Sequence, residues 1–421
     1  MSTIRKKDQI RTDECMKIDV VIVGGGASGL MAAITCRKQG KNVMIMEQKD
    51  RLGKKILATG NGKCNFTNLF QKDECYHSSQ AGFPKKALQA FTAEDTIQFF
   101  EDLGVLTKEK NGYLYPYSGQ ASTILDALCL EVKRLGIRVV CGEKIDKIEK
   151  KKDQFIIHYG EQTVLAGRVI LSAGGKAAPA QGSDGSGYDL AKSFGHHITK
   201  LCPSLTGLKA KESFCKELAG VRCDGAVSLF LDGAYERKDI GELQLTNYGI
   251  SGIPVFQICR FAGMALLEKR ETVVKVDFFP TWKEKKLREV IFHQQSRFGD
   301  NTAEDALAGL LNKKVLRVLL KQAGIKVNAS FNGVSQEKLL YLCKLMKALE
   351  FHITETNEFQ NAQVCAGGVD TREVNPDTME SKVVKDLYFA GEILDVDGIC
   401  GGYNLQWAWS SGYAAGMHAG K

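Results

Sequence analysis

The chain has 421 residues, 44% of them hydrophobic and 25% charged, with a formal net charge of +8. That length and composition predict a globular protein of two or three domains, and apolar runs that are short or glycine-interrupted argue against a membrane span. Lys and Arg are spread along the chain with no block denser than KIEKKKD at 147–153, so the charge reads as solvated surface and no nucleic-acid partner is expected.

The opening MSTIRKKDQIRTDECMK is polar and charged, lacks a signal peptide, and reads as a loose tail over 1–18. Thirteen cysteines, an odd number, form no CxxC pair and no Cys/His spacing that suits zinc. This predicts reduced thiols, a cytoplasmic setting and no metal.

From Asp19 the chain reads DVVIVGGGASGLMAAITCRKQGKNVMIMEQ. Four β-prone residues, Val20 to Val23, run into Gly24, Gly26 and Gly29 at GxGxxG spacing, with Ala27 and Ser28 between the last two. An apolar helix follows, and KNVMIME makes a second strand ending in Glu47, with Gln48 next. Gly24 permits the tight turn, Gly26 lets the backbone approach a pyrophosphate, and Gly29 lets helix and strand pack closely. The phosphates would sit at the helix N-terminus, where unpaired N–H groups and the dipole favour anions. Glu47 is placed to accept from an adenosine ribose and argues against a 2′-phosphate. The pattern predicts a dinucleotide and does not separate NAD from FAD.

Directly after comes GKKILATGNGKCNFTN at 53–68. Gly53, Gly60 and Gly62 would let this stretch fold closely over a flat ligand. Lys54 and Lys55 are placed to meet phosphate, and Asn61, Asn65, Thr67 and Asn68 to serve a polar ring edge.

This stretch, with LYFAGEILDVDGICGGYNLQWAWSSG at 387–412, resembles the signature of a bacterial flavoprotein family that includes aminoacetone oxidases and bile-acid-inducible flavoprotein N. The similarity runs from Asp19 to Gly420 and is strongest at the two ends. The resemblance implies FAD as the bound cofactor and an α/β fold. That fold is a glutathione-reductase-type, Rossmann-like FAD-binding domain over 19–190 and 359–421, with a β-barrel and helices inserted at 191–358 to cover the substrate. Where many members carry His this chain has Asn247, so no acid/base role is assigned there.

Other segments agree with FAD. RVILSAGGKAAP at 168–179 is a buried strand ending in Ala173 and Gly174, as a second cofactor contact needs. The residues before it alternate like an antiparallel meander, from which Lys144 or Ile145 could touch adenine. Gly391 and Glu392 follow a strand and resemble the segment that contacts the ribityl and phosphate region. Asn404 or its neighbour would cap the last helix, and Asn404, Leu405 and Gln406 are candidate cofactor contacts at its start, where the first N–H groups would favour negative charge at the flavin pyrimidine. Tyr403 is the candidate catalytic acid. Cys64, Cys365 and Cys400 lie in the glycine-rich motifs, where each could approach the flavin, Cys64 being the one taken as a cofactor contact, and they read as buried thiols. His196, His197 and His352 read as structural.

In the middle, CDGAVSLFLDGAYERKDIGELQLTNYGISGIPVFQIC reads as short strands of a barrel or sandwich. KKLREVIFHQQ, AEDALAGLLNKKVLRVLLKQAG and SQEKLLYLCKLMKAL have helical periodicity. No second GxGxxG with strand and acid is present, so NADH or NADPH would be a transient donor. The expected function is FAD-dependent hydride transfer to a small organic or steroid-like enone. Amine oxidation using oxygen, and an FAD-holding, RNA-associated role, are the alternatives.

Overall fold

The computed structural model describes residues 17–421. The expected tail lies outside these residues except at its last two positions, Lys17 and Ile18, which open the first strand. The chain divides into two compact units: residues through Lys200 with Gly367–Lys421, and Leu201–Ala366. The division differs from the expected 191–358 for a local reason. Ile198 bridges Val369, which keeps 191–200 with the first unit, and Cys202–Ser204 pairs with Val364–Ala366, which keeps those residues in the second.

The first unit is built on β1 (Lys17–Val23), α1 (Ala27–Lys38) and β2 (Val43–Glu47). β1 lies between β2 and the long strand Gln162–Leu171, parallel to both, and Arg138–Cys141 extends the parallel sheet beyond β2. The long strand serves two partners. Its first half, Gln162–Ala166, pairs antiparallel with Gln154–Tyr159, and that strand with Lys147–Lys151, giving the expected meander. Its apolar second half, Val169–Leu171, pairs parallel with Leu387–Phe389. β2 is buried at every position, as a parallel strand covered on both faces must be. The terminal helix Tyr403–Ala419 packs along α1, with Gly412 against Ser28 near the start of α1 and Gly420 against Gln39 at its end.

The second unit contains a closed, six-stranded antiparallel barrel. Its order is Leu208–Ala210, Gly249–Gly252, Ala234–Leu245, Val221–Leu231, Thr272–Asp277, Leu349–Thr356. Two of these strands run 11 and 12 residues, longer than the sequence suggested. The residues after Gly252, read there as strand, form the helix Ile253–Leu267. Pro254 in its first turn suits a helix start, and Val255, Ile258, Cys259 and Ala262 recur at helical spacing and are buried. The helices Glu284–Phe298, Lys313–Gln322 and Gln336–Lys347 follow the predicted periodicity. The middle pattern splits, with Ala303–Leu307 and Lys313–Gln322 capped separately by Thr302 and Asn312. Among the described residues no helix is long and apolar enough to cross a membrane.

Candidate functional site

The three fingerprint glycines have different surroundings. Gly24 has φ +100, and a Cβ there would lie 2.6 Å from the Ser172 carbonyl oxygen. A Cβ on Gly29 would lie 2.0 Å from the Gly24 carbonyl oxygen, whereas one on Gly26 would meet no protein atom within 4 Å. Two glycines therefore serve packing, and Gly26 faces open space. It is also the N-cap of α1, which no side chain caps, so the first N–H groups beyond Ala27 face outward. The Ser28 side chain has a partner within the protein. Its hydroxyl donates to the Ala390 carbonyl at 3.3 Å and so ties α1 to the strand Leu387–Phe389.

Glu47 ends β2 and is nearly buried. Its Oε2 accepts from the Gly25 N–H and its Oε1 from the Lys49 N–H, each at 2.8 Å, so the carboxylate braces the glycine turn. It borders an open groove lined also by Gly24, Gln48, Ile145, Ala173 and Gly182. The Gln48 amide donates to the Gly182 carbonyl at 2.7 Å and closes one wall. Gly174 sits behind Ala173 with φ +76, packed on Ser183.

The stretch Gly53–Asn68 is more regular than its composition suggests. Lys54–Ala58 is a short helix, followed by a tight turn, Thr59–Gly62, in which Gly60 and Asn61 are both left-handed. Gly62 has φ 81 and Cys64 φ 54. Lys54 pairs with Asp50 at 2.5 Å, and Lys55 pairs with Glu392 at 2.6 Å. Lys54 and Glu392, expected at the cofactor, are thus neutralised by protein partners, and the Lys55–Glu392 pair fastens this stretch to the 387–412 segment. Cys64 is fully buried, and burial pushes its thiol up to about 12, which leaves no thiolate at neutral pH. Asn65 Oδ1 is buried without a hydrogen-bond partner, 2.9 Å from where a Cβ on Gly402 would sit. An orphan acceptor beside a helix N-terminus suits a ligand that donates a ring N–H.

The terminal helix starts at Gly402, φ +93, without a side-chain cap. Asn404 does not cap it: its amide exchanges two hydrogen bonds of 2.8 Å with the Gly398 backbone. Gln406 is also placed differently from expectation. It is fully buried, accepts from Thr67 and Thr96 at 2.5 and 3.0 Å, and donates to the Phe91 carbonyl and Ser410. Its polar capacity is spent inside the protein, so it braces the helix. Leu405 is half-buried, and the N–H groups of Tyr403, Asn404 and Leu405 precede the first intrahelical bond, Gln406 to Gly402. Gly391 is bonded to the same helix through Ser411 and Trp407.

Tyr403 packs edge-on against Tyr76, and burial pushes its phenol well above the ordinary range, with Cys75 adding to the effect. Tyr115, which sequence reasoning passed over, is likewise raised by burial, with Tyr113 and Cys400 beside it. The alternation in YLYP at 113–116 carried the signal, since residues two apart on a strand share a face. His196 lies between Glu373 and Ser381, at 3.1 and 2.8 Å, and is structural.

The chain matches the family model described as HI0933-like protein Rossmann domain over residues 18–418. The protein belongs to the HI0933-like family. It is 43% identical to the 3-dehydro-bile acid delta(4,6)-reductase of Clostridium scindens, over 95% of this chain and 98% of that protein. It is 30% identical to the ribosomal RNA dihydrouridine synthase of Haemophilus influenzae and 28% identical to that of Escherichia coli. Each match covers 94% of this chain and 97% of the relative.

This HI0933-like protein is an FAD-dependent oxidoreductase with a glutathione-reductase-type, Rossmann-like FAD-binding domain and a barrel-containing insert. The residues present fit FAD. A cradle that a methyl group at Gly26 would fill, a groove with a carboxylate at its edge, and an unpaired acceptor at Asn65 are what its pyrophosphate, adenosine and ring N–H require.

Proposed function

We propose that the protein reduces a carbon–carbon double bond conjugated to a carbonyl in a steroid-like acid. The observation that carries this reading is 43% identity over 95% of the chain to a protein named as a reductase of an unsaturated 3-dehydro-bile acid. Bound FAD supplies the hydride in such chemistry. NADH or NADPH is the proposed donor, visiting transiently because the sequence has a single nucleotide fingerprint.

The chain's own residues would position and neutralise. Glu47 would accept from the ribose, the first N–H groups of α1 would hold the pyrophosphate, and Asn65 Oδ1 would accept the ring N–H. The first N–H groups of the terminal helix would face the pyrimidine carbonyl, where their dipole favours negative charge. Burial pushes the Tyr403 phenol above its ordinary range. As a phenol that is protonated at neutral pH, it is the proposed donor of a proton to the carbon next to the substrate carbonyl, although its raised pKa makes it a weaker acid than a free tyrosine.

A second reading is favoured by the two relatives named as ribosomal RNA dihydrouridine synthases. The uridine double bond that becomes saturated in dihydrouridine is also conjugated to a carbonyl, so the bond chemistry is shared and the substrate differs. The test is anaerobic incubation of the FAD-loaded protein and NAD(P)H with a 3-oxo-Δ4 bile acid and, separately, a ribosomal RNA transcript. A gain of two hydrogens by the steroid acid supports the proposal. The same gain by RNA alone moves the assignment to the second reading, and a gain by neither overturns both.

A further inference from the structure

The small sheet beside the second glycine motif belongs wholly to the first unit. Its strands lie in the order Thr67–Asn68, Tyr113–Pro116, Thr107–Lys110. In the middle strand Leu114 and Pro116 are buried while Tyr113 and Tyr115 are half-buried, so both rings stand on the other face. A Cβ on Gly401, φ +130, would lie 2.8 Å from Tyr113 Cε1 and 3.3 Å from Tyr403 Cε2. The two rings therefore meet at this glycine, and Tyr113 adjoins the proposed proton donor. Tyr115 lies 4.0 Å from a Cβ on Gly60, over the other glycine turn.

Asn68 stands opposite Tyr113 on one side and Lys110 on the other, and directly opposed residues share a face. The Asn68 amide is fixed, donating to the Gly401 carbonyl at 3.0 Å. Lys110 is exposed, and among the described residues its ammonium makes no ion pair or hydrogen bond. Two strand spacings of about 4.8 Å and the lysine side chain separate Asn68 from that charge. Leu69, Phe70, Leu106 and Tyr117, next to the ends of the same strands, are between 46% and 73% exposed. Apolar side chains gathered in this way mark a surface for an apolar ligand.

We propose that the body of the substrate lies across this sheet on the ring of Tyr113, with its carboxylate at Lys110 and its reacting end toward Tyr403. The inference rests on the reading of the substrate as a steroid-like acid. Such a molecule has a rigid, flat hydrocarbon body and one anionic end, which an aromatic face with a single cation at its far side complements. The contact uses the face of Tyr113 and makes no demand on its hydroxyl.

The test compares kcat/KM of the FAD-loaded protein for a 3-oxo-Δ4 bile acid and for its methyl ester. Wild type is expected to prefer the acid by roughly fivefold, the order of an exposed ion pair, and less as salt is raised. Lys110→Met is expected to bring that ratio close to one, through KM for the acid, and Lys110→Arg to restore it. Tyr113→Ala is expected to raise KM for both substrates roughly tenfold, and Tyr113→Phe to recover most of that loss. Flavin content and melting temperature report on folding, and the exposed Lys110 keeps the test open where Tyr113→Ala does not fold.

A wild-type ratio close to one, or an unaltered ratio in a folded Lys110→Met protein, overturns the anchor and leaves the enone reading standing. An unaltered KM in a folded Tyr113→Ala protein overturns the placement of the body. If wild type reduces neither substrate, calorimetry with the acid and the oxidised holoenzyme decides. Binding weakened by both Lys110→Met and Tyr113→Ala supports the site while the reduction fails, and binding that neither weakens, or none, overturns it. Reduction of a ribosomal RNA transcript alone overturns the steroid reading and this proposal with it.

Discussion

Replacing Gly26 with alanine should separate cofactor binding from folding. A Cβ there meets no protein atom within 4 Å, and the backbone, φ −80, accepts any residue. The FAD-free protein should keep its stability to within about 1 kcal/mol, the cost of an alanine at a helix N-cap. The same methyl would stand where the pyrophosphate has to approach. Overpacking of that kind costs about 1–3 kcal/mol, or about 5- to 150-fold in the FAD dissociation constant. Gly29→Ala should behave in the opposite way. Its Cβ would come 2.0 Å from a backbone carbonyl, so α1 has to move off β1 before any ligand is considered. A loss of about 3 kcal/mol corresponds to a fall of roughly 6–12 °C in melting temperature for a domain of this size. The assay is thermal unfolding of deflavinated protein by circular dichroism, paired with FAD titration followed by flavin fluorescence. A Gly26→Ala protein that binds FAD like wild type would refute the placement of the pyrophosphate.

Glu47→Ala should weaken FAD by about 1.5–3 kcal/mol, and it should also destabilise the FAD-free protein, because the buried Gly25 N–H loses its acceptor. Equal FAD retention would show that the ribose is held elsewhere. Tyr403→Phe should keep the flavin spectrum while turnover falls about 100-fold, and an unchanged rate assigns the proton to another donor. His196 is sealed in and burial lowers its pKa, with Glu373 opposing. The unfolded chain therefore takes up that proton more readily, and the stability present above the ordinary histidine pKa is lost as pH falls through it. Melting temperature should drop between pH 7.5 and 5.5, less steeply in His196→Gln; parallel curves would remove His196 as the cause.

The nucleotide-binding turn was legible in the sequence because each of its residues answers to local geometry. Gly24, Gly26, Gly29 and Glu47 are fixed by the strand–turn–helix path itself, and the groove gathers Glu47 and Ala173 from strand ends, with Ile145 from the loop before the meander. The polar residues of the second motif were less legible. Whether Asn404 caps its helix or clasps Gly398, and whether Gln406 meets a ligand or Thr67 and Thr96, depends on partners far away in sequence. Lys54 was assigned to the cofactor on charge and Glu392 on the resemblance of its segment, and each has an ion-pair partner within the protein. The helix Ile253–Leu267 was read as strand because it follows a glycine-punctuated β run. Its period was visible only from Val255 onward, and the preceding strands dominated the pattern.

The most direct test of the central claim is the rate at which the protein, reduced anaerobically by NADH or NADPH, reoxidises with a 3-oxo-Δ4 bile acid, compared with the rate in air. Fast reoxidation by the steroid acid, with its double bond saturated, and slow reoxidation in air is the predicted result. Rapid reoxidation in air with hydrogen peroxide release, and none with the steroid acid, would contradict the account and point to an oxidase.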